Sequence, residues 1–372
     1  MKILPTTLFL LLTIGCTGNA QTSGATNDSD STAADTAKHQ VTLLFAGDLM
    51  QHDGQIKAAR MNDGTYNYDD VFKRVKPEIS EADIAIANFE VTLGGPPYKG
   101  YPQFCAPDEY LRASIDAGFD VLLTSNNHCV DTRERGLRRT IDMMDSLGVK
   151  HLGTYKDAAD RERHYPFFME YDGIRICLLN FTYGTNGIPV PAPFVVNMQD
   201  TTEIAADLKT AKSFNPDVII AFPHWGIEYA QLPNKEQRNL VDWMLRNGVD
   251  HVIGGHPHVI QPFEVVNQGG KEHLVVYSLG NYVSNMTKIN TDGGAMVRMT
   301  LTKQGGKTVM SACDYSLVFV SRPKTSGKKN FRIFPVNSPD DELNAADRSL
   351  RTRFINSTRA LLGKHNKGIK ER

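Results

Sequence analysis

Little in this sequence is extreme, and each scarcity excludes something. The formal net charge is −1, from 41 Lys and Arg against 42 Asp and Glu. No global basic field exists to gather nucleic acid, so no nucleic-acid partner is expected. Cysteine is scarce: five in 372 residues, none in a Cys-x-x-Cys pair, which removes the usual cysteine zinc cage. There is no internal repeat and no long hydrophobic run. The one N-terminal apolar stretch, Ile3 to Ile14, is broken by Pro5, Thr6, Thr7 and Thr13 and is too short to span a bilayer. With 41% apolar and 22% charged residues, the chain has an ordinary globular composition and ample core.

What is present begins with a targeting segment. Lys2 precedes the apolar stretch, which ends at Gly15-Cys16. A small residue before a cysteine at this point resembles a bacterial lipoprotein signal, with Cys16 as the lipidated residue. The expectation is residues 1–16 as signal and 17–39 as a flexible tether rich in Ser, Thr, Asp, Ala and Gly. The protein is then a membrane-anchored lipoprotein of the cell envelope. A cut after Ala20 is the alternative and gives a secreted or periplasmic protein. Cys105, Cys129, Cys177 and Cys313 allow three pairings, and free thiols are the preferred reading.

From residue 40, short apolar runs alternate with helical patterns, which argues an α/β architecture. The pattern predicts one domain over 40–312 and an extension over 313–372 with a terminal helix within Asp340–Leu362 and a frayed basic tail. It also predicts a helix over Tyr68–Glu81. Nearly every apolar run ends in a residue able to bind metal or phosphate. Ligand sites in such folds lie beyond the carboxyl ends of the strands. Asp48, Glu90, Asn127, His128, His224, His256 and His258 follow that rule in succession.

The densest stretch is Gly254-Gly255-His256-Pro257-His258. An i, i+2 pair in an extended segment puts both imidazoles on one face. The glycines permit a sharp turn and a close approach. Two carboxylates, a carboxamide and three or four imidazoles suit one or two divalent ions of Mn, Zn or Fe, and not an all-oxygen calcium cage. The candidates for this set are Asp48, Glu90, Asn127, His128, His224, His256 and His258. Glu90 is the candidate bridge between two ions. His128 directly follows Asn127, so one of them can ligate while the other reaches outward as an acid, with Asp131 either orienting His128 or capping the next helix. Trp225, Glu228, Tyr229, Ser278 and Asn281 are candidate substrate-binding residues.

The ordered motifs Gly47-Asp48, Asn88-Phe89-Glu90, Asn126-Asn127-His128, His224-Trp225-Gly226, Gly255-His256-Pro257-His258 and Ser278-Leu279-Gly280-Asn281 resemble those of the CapA family of capsule and poly-γ-glutamate biosynthesis. That family is related to the calcineurin-like metallophosphatases. The resemblance covers roughly Val41 to Val283. It implies a four-layered α/β/β/α metallophosphatase-like sandwich, with Asp48, Glu90, Asn127, His224, His256 and His258 as metal ligands on strand-end loops and His128 as acid. The Asp-x-His pair that opens the phosphatase pattern is absent, because Leu49-Met50 follows Asp48.

The expectation is an exported protein acting on an anionic envelope polymer through a metal-dependent hydrolase or transferase site. Its partners are then the polymer, the membrane through a lipid anchor, and a capsule synthesis or export complex. Two alternatives stand beside it: a non-catalytic polymer-binding or scaffold subunit of an export complex, and a metal-dependent phosphoesterase.

Overall fold

The structure, a computed structural model, describes residues 37–372. The expected signal segment with Cys16, and the expected tether up to residue 36, lie outside the described residues. The strands are β1 (His39–Leu49), β2 (Ile84–Phe89), β3 (Val121–Leu123), β4 (Lys150–Leu152), β5 (Thr154–Tyr155), β6 (Phe167–Tyr171), β7 (Ile174–Thr182), β8 (Val195–Val196), β9 (Val218–His224), β10 (His251–Ile253), β11 (Phe263–Gln268), β12 (Lys271–Val276), β13 (Asn281–Val283), β14 (Gly293–Gln304), β15 (Lys307–Ser321), β16 (Arg332–Pro335) and β17 (Lys370–Glu371). The helices are α1 (Asp53–Ala59), α2 (Asp69–Phe72), α3 (Lys76–Ile79), α4 (Asp108–Asp116), α5 (Arg133–Leu147), α6 (Ala158–His164), α7 (Thr201–Ser213), α8 (Lys235–Arg246), α9 (Pro323–Ser326) and α10 (Ala345–His365).

Two sheets carry the molecule. The first runs β16-β15-β14-β1-β2-β3-β4, with β13 also pairing β1 and β17 pairing β15; the second runs β11-β12-β10-β9-β7-β6. The step from β1 through β2 and β3 to β4 is parallel throughout. So is the step from β7 through β9 and β10 to β12. Alternation along β1 explains the layering. Val41, Leu43 and Phe45 enter a core shared with Leu178, Ile220, Phe222 and Val252 of the second sheet, and with Leu208 of α7 and Met244 of α8. Leu44 and Ala46 face the other way, onto Phe72, Tyr110 and Leu111 of α2 and α4. Helix, sheet, sheet and helix therefore stack as the expected four-layered α/β/β/α sandwich.

Three local expectations change. The helix expected over Tyr68–Glu81 is two short ones, α2 and α3, because Pro77 in the first turn of α3 cannot donate to residue 73 and its ring clashes with that carbonyl. The boundary placed at 312 falls inside β15. The basic tail is docked: Ile369 is buried, and β17 pairs with Asp314 and Tyr315 of β15. One apolar side chain among the lysines anchors it. The four described cysteines are free thiols. Among the described residues, no helix is long and apolar enough to cross a membrane.

β10 leads into the His-Pro-His stretch and is held by an unusual bond. His251 is buried, and its Nδ1 accepts the Leu274 backbone N–H of β12 at 3.0 Å. Burial pushes its pKa down to about 3. Folded and unfolded chains both leave this ring neutral well above pH 6.5. Below that, only the unfolded chain takes the proton, so stability falls as pH drops from about 6.5 towards 3. The loss amounts to on the order of 5 kcal/mol at the acid end. His251→Asn retains an acceptor that does not titrate, so its unfolding free energy should fall less steeply over this range in denaturant titrations. Identical pH profiles for variant and wild type would contradict the assignment.

Candidate metal centre

The site assembles at the carboxyl ends of the parallel strands. β1 delivers Asp48 with a register shift against both β2 and β13, and such a bulge re-aims a side chain. Gly47 makes this possible: a Cβ there would lie 1.9 Å from the Gly280 carbonyl oxygen. Glu90 follows β2, Asn127 and His128 follow β3, and His224 ends β9.

The His-Pro-His stretch is not extended. The backbone turns with φ of +97° at His256 and +59° at His258, strained values for residues bearing a Cβ, costing about 1–3 kcal/mol each. The preceding glycines serve close approach instead. A Cβ at Gly254 would meet the Tyr277 carbonyl oxygen at 2.3 Å, and one at Gly255 would lie 3.0 Å from Asp48 Oδ1. Tyr229, at φ +67°, donates its N–H to the Pro257 carbonyl at 2.8 Å and braces the turn from outside.

Five predicted ligands converge. Asp48, Glu90 and His224 place one ligand atom each within 4.8 Å of one another, as do Glu90, His256 and His258. Glu90 belongs to both groups, the position required of a bridge. Asn127 joins through Oδ1, 2.9 Å from His224 Nε2. All six residues are buried. His258 Nδ1 lies 3.0 Å from Asn281 Oδ1, which leaves Nε2 turned to Glu90 Oε1 at 3.9 Å.

The donor set fits a divalent cation. Asp48 Oδ2, Glu90 Oε1 and His256 Nδ1 are buried without a hydrogen-bond partner, and leaving such atoms unsatisfied costs about 1–3 kcal/mol apiece. Burial, then the charge of Asp48, pushes the Glu90 carboxyl well above its usual range. Burial likewise holds His224 far below the normal imidazole value and His256 at about 3. Both rings are thus neutral, the state in which an imidazole can ligate a metal.

His128 stands beside this cluster. Its Nδ1 lies 2.7 Å from Asp131 Oδ2, which also accepts the Phe104 N–H at 2.6 Å. Thr132, not Asp131, stands at the N-cap of α5. Of the two roles considered for Asp131, the geometry selects the orienting one. The Phe104 ring packs edge-on against His128 at 4.5 Å.

The candidate substrate-binding residues divide. Trp225 is buried and spends its indole N–H on the Tyr277 carbonyl at 2.9 Å, and Ser278 Oγ donates to the Val259 carbonyl at 2.8 Å. Both brace the turn from behind and do not line a cleft. Asn281, fully buried, orients His258. Glu228 is exposed and Tyr229 half-buried at the rim.

Sequence reasoning missed Asn88, whose amide donates to Asp48 Oδ1 at 2.8 Å and Glu90 Oε2 at 3.1 Å. It also missed Tyr183, whose ring lies 4.6 Å from that of His256. Asn88 was available from its i, i+2 relation to Glu90, and Tyr183 from its place just after β7. His52 caps α1 and its Nδ1 meets the Asn285 N–H at 3.3 Å. Met50, where the Asp-x-His histidine would stand, is buried in the outer core.

Removing the hydrogen bond that sets the His258 ring should weaken the centre without touching a ligand. Asn281→Ala is expected to lower Mn²⁺ or Zn²⁺ affinity by roughly 10–100-fold, read by competition with a chromophoric chelator. Wild-type affinity in the variant would contradict the role given to Asn281.

Over residues 42–286 the chain matches the family described as bacterial capsule synthesis protein PGA_cap. It is 27% identical over 307 residues to the capsule biosynthesis protein CapA of Bacillus anthracis, covering 79% of this chain and 72% of that one. It is also 27% identical over 274 residues to the PGA biosynthesis protein CapA of Bacillus subtilis strain 168, covering 71% and 69%. Among solved structures it is similar to the NAD nucleotidase of Haemophilus influenzae, with a TM-score of 0.48 and 11% identity over 87% of this chain and 61% of that one. A calcineurin-like phosphoesterase of Bacillus subtilis, YfkN, gives 0.43 and 14% over 88% and 99%. The family match encloses every converging residue from Asp48 to His258, and the chain belongs to the bacterial capsule synthesis protein PGA_cap family.

Proposed function

We propose that this protein is a metal-dependent hydrolase or transferase acting on an anionic envelope polymer, with poly-γ-glutamate as the leading substrate. The observation that carries the reading is the pairing of a buried, orphan-rich carboxylate–imidazole cluster with an oriented histidine. Asp48, Glu90, Asn127, His224, His256 and His258 would hold one or two divalent ions, of Mn, Zn or Fe. A bound divalent ion supplies positive charge that polarises a carbonyl or phosphoryl oxygen and makes water a nucleophile at neutral pH. Asn88 holds the two carboxylates in register through its amide. Asp131 fixes the His128 ring through Nδ1 and leaves Nε2 to pass a proton to the leaving group. The buried surroundings exclude bulk water from both groups.

A second reading, a polymer-binding subunit without catalysis, is favoured by one observation. Met50 fills the position of the missing histidine, and His52 is committed to α1 and Asn285. Both readings place the protein at the cell envelope, anchored through lipidated Cys16, within a capsule synthesis or export assembly. Palmitate labelling that disappears in Cys16→Ser supports the anchor, and unlabelled wild type excludes it.

The enzymatic reading is tested on the metal-loaded protein with poly-γ-glutamate. His256→Ala should lose both metal and chain cleavage or transfer. His128→Asn should keep its metal while kcat falls by roughly 10²–10⁴-fold. Metal and activity both retained in His256→Ala would reject the assignment. A wild type that holds metal and binds polymer without turnover would favour the second reading.

A further inference from the structure

At the rim of the centre stands one cation that neither the fold nor the mechanism above employs. Lys288 is exposed, and its Nζ lies 3.5 Å from the centroid of the Tyr229 ring. That ring lies 6.2 Å from the His258 ring. A single aromatic side chain therefore separates the ammonium from a metal-ligand candidate. No carboxylate pairs with Lys288 among the described residues, and the tyrosine face is its contact. A cation over an aromatic face keeps its charge available to a ligand approaching from the open side.

The placement is built, not incidental to a loose loop. Asn285 N–H meets His52 Nδ1 at 3.3 Å, and Asn281, the residue that orients His258, reaches Met286 Sδ at 3.5 Å. Arg322, buried, donates to the Met286 carbonyl and to Asp292 Oδ1, the latter at 2.9 Å. Arg353 holds the other Asp292 oxygen at 2.9 Å. Both ends of the 286–292 segment are therefore pinned by charged hydrogen bonds, which are the stronger kind. The Lys288 carbonyl itself accepts the N–H and the hydroxyl of Thr291 at 3.1 and 2.7 Å. Tyr229 is equally fixed, by its bond to Pro257. The Tyr229 hydroxyl is pushed up to about 12 by burial first and then by the neighbouring Glu228 carboxylate.

We infer that Lys288, carried on Tyr229, is the specificity-determining residue that receives an anionic group of the substrate beside the scissile centre. The inference rests on the polymer-directed reading above and adds to it the side on which the charged group binds. The ligand chemistry is a singly or doubly charged oxyanion. It could be the free carboxylate of a γ-linked glutamate unit or the phosphate of a glycerol phosphate unit.

The test uses the full chain loaded with Mn²⁺ and two fluorescent probes, an oligomer of γ-linked glutamate and an oligomer of glycerol phosphate, followed by anisotropy. Lys288→Met is expected to bind at least one probe roughly tenfold more weakly, with metal content unchanged, and Lys288→Arg to restore most of the loss. The probe that responds identifies the oxyanion. Equal affinity of Lys288→Met and wild type for both probes overturns the inference, as does a wild type that binds neither. Lys288-dependent binding without any turnover supports the inference and refutes the catalytic reading alone.

Discussion

Two carboxylates, Asp48 and Glu90, lie side by side with no access to bulk water, and the rest of the site answers to them. Ligand oxygens of the pair fall within 4.8 Å of each other. At an effective dielectric of about 20, two like charges at that distance repel by on the order of 3 kcal/mol, before any desolvation cost. The Asn88 amide bridges them but supplies no charge. Burial holds His224 and His256 neutral. Among the described residues no Lys or Arg pairs with either carboxylate, and only imidazoles stand at ion-pair distance, His258 Nδ1 3.4 Å from Asp48 Oδ2 and His224 Nε2 3.7 Å from Glu90 Oε1; an external counter-charge or a proton kept on Glu90 relieves the repulsion. The orphaned oxygens and the orphaned His256 nitrogen favour the former.

The backbone around the pair follows from the need to bring so many donors to one point. Side chains from five strand ends can meet only if the chains carrying them pass within contact distance. Gly47, Gly254 and Gly255 are where they do so, each facing an atom that a Cβ would strike or crowd. With glycine spent on proximity, the tight turn falls on His256 and His258, both at positive φ. Strain of this kind persists only where the surroundings over-determine it. Trp225, Ser278 and Tyr229 are the surroundings that do so, through bonds to Tyr277, Val259 and Pro257.

Much of this was legible in the sequence, for a simple reason. Parallel strands in an α/β sandwich end on one edge, so residues far apart in sequence but placed after successive strands meet there. Asp48, Glu90, Asn127, His224, His256 and His258 could be read in that way. What could not be read was side-chain direction beyond the strand ends. Trp225, Ser278 and Asn281 sit in the right motifs yet turn towards backbone or towards His258, because neighbouring strands offer them partners invisible in one dimension. The assignment of positive φ to the histidines was hidden by the adjacent glycines. The broken helix at Pro77 was legible and outweighed by apolar spacing. The docked basic tail shows the sequence one buried apolar residue, Ile369, too small a signal against so many charges. Lys288 has no motif; only the folded loop brings it over Tyr229.

The account stands on a divalent cation between Asp48 and Glu90. Anomalous scattering from crystals grown with Mn²⁺, recorded at a wavelength where manganese dominates, addresses it directly. The account predicts one or two strong peaks bounded by Asp48, Glu90, His224, His256 and His258, with Glu90 touching each. A map with no peak there, beside a Glu90 rotated to share a proton with Asp48, would contradict it.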